Sequence, residues 1–150
     1  MRCPESGTGE TRVSTSRRKT RIIALQVLYE ADAVRHDSSL VLERRTEEVS
    51  LSSSSESFAD KLVRGVLENR EEIDKIITEF APSWPVGQMA IVDRNLLRLA
   101  IFEMLFGDET PPKVAINEAV EMAKVFGSDS SPKFVNGVLG SIIENARNKS

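Results

Sequence analysis

The chain has 150 residues, 40% of them hydrophobic and 29% charged, with 20 Lys+Arg against 23 Asp+Glu for a net charge of -3. A length of this order suits one domain that buries about 68–70% of its unfolded surface. One Cys (Cys3) and one His (His36) leave no ligand set for a Cys/His zinc site and exclude an intrachain disulfide, which suits a reducing cytoplasm.

No run reaches the roughly 20 apolar residues of a membrane span. The longest uncharged stretch, Phe80 to Val92, is broken by Pro82 and Pro85. The N-terminus lacks the apolar core of a signal peptide. Aromatics are only 5%, so an aliphatic core is expected.

Residues 1–16 are small and polar and are expected to form a disordered tail ahead of a domain at 17–150. A helix follows from Ser16, its expected N-cap, to about Val34, with Ile22, Leu25, Leu28 and Tyr29 on one face. A short helix spans Leu40 to Val49. Ser50 to Ser57 holds six serines in eight residues and is expected to be a flexible loop. A third helix starts at Ser57, partly capped by Asp60, with a stripe of Phe58, Leu62, Val63, Val66 and Leu67.

Asn69 and Glu72 read as a capping pair for a fourth helix, in which Ile73, Ile76, Ile77 and Phe80 recur at helical spacing. The turn from Ala81 to Pro85 stops it. Gln88 to Phe106 is apolar almost all round, the pattern of a central buried helix, with Gly107 as its C-terminal cap. Pro111-Pro112 precedes a sixth helix with Ile116, Ala119, Val120 and Ala123 inward, ended by Gly127.

The seventh opens at Ser131-Pro132, an N-cap Ser followed by Pro, and carries Phe134, Val135, Val138, Leu139, Ile142 and Ile143. Asn136-Gly137 would suit a hairpin, but the surrounding stripe is helical. Gly137 and Gly140 are expected to permit a close approach of a helix or ligand. Seven helices and no strands predict an all-α fold.

Arg17-Arg18-Lys19-Thr20-Arg21 places four cations in five residues at the start of a helix, where cations are disfavoured. The cluster reads either as a phosphate-binding arm or as a solvated helix start. In an otherwise acidic chain it is a localised basic footprint, which favours nucleic acid. Lys133-Phe134 in the first turn of the seventh helix could hold a phosphate and stack a base, or Phe134 could simply join the core stripe. Catalysis finds little support. Glu47-Glu48 and Glu71-Glu72 sit on polar faces, His36 lies in a polar context, and there is neither a phosphate-binding glycine loop nor a nucleophile elbow.

Residues Pro112 to Lys124 (PKVAINEAVEMAK), then Phe126-Gly127 and Ser131 to Leu139 (SPKFVNGVL), resemble the C-terminal signature of the NusB family of transcription antitermination factors. Val92-Asp93-Arg94 through Phe102-Glu103 resembles that family's central helix, and Arg17-Arg18-Lys19 through Tyr29 its Arg-rich first helix. The resemblance covers roughly residues 16 to 146. It implies two small helical bundles packed together and a cytoplasmic, non-enzymatic factor with no cofactor and no bound metal. Such a factor binds boxA-type RNA together with NusE, a small-subunit ribosomal protein. It joins the RNA polymerase antitermination complex, notably in ribosomal RNA operons.

By matching position, Arg17, Arg18, Lys19, Arg21, Lys133 and Phe134 are implied to contact RNA, and Tyr29 and Asp93 to meet NusE. Some relatives form homodimers that mask these surfaces. Ser130 stands where the family often has Asp. If that site lies beside RNA, Ser130→Asp is expected to weaken binding modestly. The alternatives are a protein-interaction bundle without RNA binding, or a stand-alone relative of the NusB-like domain of RNA cytosine methyltransferases. The latter is disfavoured because no α/β domain with a cofactor loop and catalytic Cys follows within the chain.

Overall fold

The computed structural model describes residues 9–34, 38–49, 51–107 and 109–149; Cys3, His36 and residues 1–8 of the expected tail lie outside them. Among the described residues there are seven α-helices and no strand. They are α1 (Gly9–Val34), α2 (Ser38–Val49), α3 (Ser53–Glu68), α4 (Arg70–Phe80), α5 (Ile91–Ile101), α6 (Pro112–Phe126) and α7 (Ser131–Lys149). A 3-10 turn at Val86–Gln88 leads into α5, and a π turn at Phe102–Phe106 extends it. The all-α expectation holds. Helices α1, α2 and α3 pack on one another, α4 to α7 form a second group, and α5 joins the two by packing on both α1 and α3.

The apolar stripes explain this arrangement. Ile23, Ala24, Val27 and Leu28 of α1 face Leu62, Val63 and Val66 of α3 in one continuous core with Ile73 and Ile77 of α4 and Val135 and Leu139 of α7. Every residue from Asn95 to Met104 is buried, as the all-round apolar pattern required. Three of them are polar, and a polar group is tolerated at such depth only with partners. The two charged ones, Arg98 and Glu103, pair with other elements as described below.

Several local expectations are corrected. Helix α1 already runs from Gly9, ahead of Ser16. The serine run is mostly helix. Ser52 is the N-cap of α3 and accepts a hydrogen bond from the Ser55 amide at 3.2 Å, so a serine-rich stretch serves as a helix start. Asp60 does not cap; its carboxylate accepts from Arg64 one turn on, at 3.0 Å. The Asn69 side chain points backwards and donates to the Gly65 carbonyl at 2.8 Å, closing α3 rather than capping α4.

Gly107 caps the π turn through its amide on the Phe102 carbonyl, but its backbone is extended, not left-handed. Gly137 and Gly140 face open space, so neither admits a close approach within the chain. The tight contact is at Gly65, where an added Cβ would fall 2.2 Å from the Phe102 ring. That packing lets α3 lie directly on the end of α5, and no pattern in the sequence around Gly65 announces it.

Candidate nucleic-acid interface

The five-residue basic run lies inside α1, eight residues past its start and not at the helix N-terminus that the sequence suggested, and it divides according to helix phase. Arg21 lies on the buried stripe at i, i+3 and i+7 from Ala24 and Leu28, so it points inward with a side chain only 7% exposed. Its Nε donates to both carboxylate oxygens of Glu103, at 2.8 and 2.9 Å, and Nη2 reaches the Thr110 hydroxyl at 3.4 Å. The structure therefore removes Arg21 from the exposed basic surface that the sequence suggested. A cation in the register of the core stripe was a legible signal that Arg21 points inward, though not of its partner Glu103 in the π turn.

The other three cations reach the surface. The Arg17 guanidinium lies 3.9 Å above the centre of the Phe58 ring of α3, a cation–π contact, and 3.7 Å from Glu109. Lys61, one turn along α3, donates to that same Glu109 at 2.8 Å. Arg18 clamps Glu118 of α6 through Nε and Nη2, at 3.1 and 2.8 Å. Hydrogen bonding to Arg18 holds the Glu118 carboxyl below its ordinary range, and the same bond raises Arg18. Lys19 is exposed. The cations thus form an edge in which Arg17 and Arg18 are held by acidic partners.

The second region is the start of α7. Gly127 ends α6 and leaves room for Ser131: a Cβ on Gly127 would lie 2.5 Å from the Ser131 side chain. Ser131 is not the expected N-cap. It is a buried residue of the first turn whose hydroxyl accepts from the Ser128 amide at 2.9 Å and donates to Asp93 at 2.6 Å. Ser130 precedes the helix, and its carbonyl accepts from the Phe134 amide. Lys133 is exposed and Phe134 half-buried. The Phe134 ring meets Trp84 edge-to-face, with centres 6.2 Å apart at 71°.

Tyr29 is 41% exposed. It lines a groove of about 450 Å³ with Leu25, Val34, Arg45, Val92 and Phe126, so α1, α2, α5 and α6 all contribute. Asp93 is the neighbour of Val92 and is tied to Ser131, which anchors the start of α7 beside this groove. Tyr29 lines this groove and Asp93 follows its lining residue Val92, Lys133 and Phe134 share the first turn of α7, and Arg17, Arg18 and Lys19 lie on α1 against α3 and α6.

Sequence reasoning missed a part-buried network that joins α1, α4 and α5. Asp32 of α1 accepts two bonds from Arg94 at 2.8 Å, one from Asn95 at 2.9 Å and one from Arg98 at 3.1 Å. Arg98 in turn clamps Asp74 of α4 at 2.9 and 3.0 Å. The Arg94 hydrogen bond is the largest cause holding the Asp32 carboxyl far below the usual carboxylate range, against its own burial. Among the described residues, no group of three or more His, Cys, Asp or Glu stands where it could hold a metal ion, and no helix is long and apolar enough to cross a membrane.

Among the described residues, the site is an all-helical platform with a basic edge, an aromatic pair next to an exposed lysine, and a largely apolar groove. Residues 18–144 match the NusB family, and the chain belongs to it. It is 49% identical over 137 residues to the transcription antitermination protein NusB of Chloroflexus aggregans, covering 90% of this chain and 91% of that protein. It is 48% identical to the protein of that name from Roseiflexus sp., covering 91% of this chain and 98% of that one.

Among solved structures, T. maritima NusB superposes with a TM-score of 0.81 at 36% identity, over 85% of this chain and 90% of that one. A structure of antitermination factors NusB and NusE in complex with dsRNA superposes with a TM-score of 0.80 at 29% identity, over 87% and 98% of the two chains.

Proposed function

We propose that this protein is a transcription antitermination factor that binds boxA-type RNA together with NusE and helps RNA polymerase read through terminators, notably in ribosomal RNA operons. It acts in the cytoplasm as an adaptor and not as an enzyme. The observation that carries the reading is the family match over residues 18–144, joined to an exposed basic edge in an otherwise acidic chain. The relative solved with NusE and dsRNA supports both partners.

In this reading Arg17, Arg18 and Lys19 contact phosphates, while Arg21 ties α1 to Glu103 from within. Lys133 and Phe134 supply a second RNA contact. Tyr29, Asp93 and the adjoining groove receive NusE, and a second copy of the chain would compete for that face. A bundle that binds proteins alone is the second reading, favoured by the acids Glu109 and Glu118 that already answer Arg17 and Arg18.

Titration of boxA-like RNA across salt, with and without NusE, separates the two. Binding tightens with NusE present, because two modest surfaces act together. Neutralising Arg17, Arg18 and Lys19 to Gln flattens the dependence of log K on log salt by somewhat under about one unit for each phosphate no longer neutralised. An unchanged slope rules out the phosphate role of the edge, and no RNA binding even with NusE leaves the protein-only bundle.

A further inference from the structure

Trp84 is the chain's one tryptophan, and it is 60% exposed. An indole is the largest apolar side chain, and leaving it in water forgoes the hydrophobic free energy of burial. The exposure does not come from a loose backbone. Trp84 sits between Pro82 and Pro85, which restrict the chain, and its amide donates to the Ala81 carbonyl at 3.0 Å to close the turn after α4. The edge-to-face contact with Phe134 fixes the ring's orientation while most of it stays in solvent. Phe134 is in the first turn of α7, next to the exposed Lys133.

An exposed flat ring, a second ring at its edge and an exposed lysine next in sequence to that second ring are what an unpaired nucleotide requires: a π-face for the base and a positive charge for its phosphate. The immediate neighbours Pro82, Ser83 and Pro85 are all exposed, so the indole face is open to solvent on the linker side. The apolar groove suited to a protein lies elsewhere, at Tyr29 and Val92.

We propose that Trp84 is a base-stacking residue for single-stranded RNA, packing an unpaired nucleobase on its indole while the adjacent phosphate meets Lys133. The proposal rests on the RNA-binding reading above and extends the interface from the helices to the linker before α5.

The single tryptophan makes the test direct. The full chain is titrated with a short single-stranded boxA-like RNA, following indole emission and, in parallel, the anisotropy of labelled RNA. Stacking quenches the emission saturably, over the range in which anisotropy reports binding. Trp84→Ala weakens binding by at least about fivefold with the salt slope unchanged, because stacking releases no counterions. Trp84→Phe keeps most of the affinity, and circular dichroism verifies that both variants remain helical. Unchanged emission on RNA that anisotropy shows to be bound overturns the proposal, as does an Ala variant that binds like the parent. Quenching by NusE alone with none by RNA overturns it in favour of a protein contact. Absence of any anisotropy change removes the RNA-binding reading itself, and the proposal with it.

Discussion

The basic run of α1 and the head of α7, both proposed above to meet RNA, are built in opposite ways. At α1 the charge is dense, and Arg17, Arg18 and Arg21 are each already answered by a carboxylate of the same chain. At α7 the charge is a single exposed lysine, and rings do the rest. In the proposed reading, binding at the first surface would depend on salt and on internal competition, and at the second on shape. A count of cations therefore overstates the first region and understates the second. Of four cations in the basic run, one is structural, and its contribution is read in stability rather than in affinity.

The change that would test this contrast most severely is at Arg21. Arg21→Ala leaves Glu103 buried without its partner and is expected to cost about 3–5 kcal/mol in denaturant unfolding. Replacing both, as Arg21→Met with Glu103→Leu, recovers most of that loss. A variant that stays fully stable yet loses RNA affinity and salt slope would return Arg21 to the surface contacts.

A smaller effect, of opposite sign, is expected at Glu109, which is half-exposed and bridges Arg17 and Lys61. Glu109→Gln removes a competitor for phosphate and tightens RNA binding by about two- to fivefold at low salt, within the range of an exposed ion pair. Equal or weaker binding in a filter-binding titration would show that the acid orders the edge rather than competing with it.

The mildest change is at Ser130. Because Ser130 precedes α7, Ser130→Asp places a carboxylate at the cap position, where it favours the helix, but it also adds negative charge close to Lys133. Thermal stability rises slightly while RNA binding falls by about twofold; a fall in stability, or unchanged or tighter binding, breaks the link between this turn and RNA.

Much of the fold is legible in the sequence because apolar spacing states it directly. The α5 run from Asn95 to Met104 and the α7 stripe through Val135 and Leu139 sit where helical periodicity puts them. The serine run is deceptive because composition suggests loop, whereas position at a helix start decides the matter. Function is legible through the blocks 112–124 and 131–139, since long matched segments carry more information than any single charge.

Relations between distant residues are the part that sequence does not carry. Arg21 with Glu103, Gly65 under Phe102, and Trp84 beside Phe134 each join residues far apart in the chain that no local window contains. The net charge also misleads, because it averages a basic edge with acidic surfaces elsewhere.

The Asp32 carboxylate has a consequence for how partners meet. It fastens α1 to α5, and through Arg98 to α4, so one anion pins helices from both bundles. The basic edge and the partner groove are both built on α1, and that shared rod is clamped to the rest at its far end. In the proposed reading, two ligands on this protein would find their seats on one helix that Asp32 ties to α5 and, through Arg98, to α4. On that reading, whichever arrives first would leave the second site already aimed, and the protein would serve as a jig for what it holds.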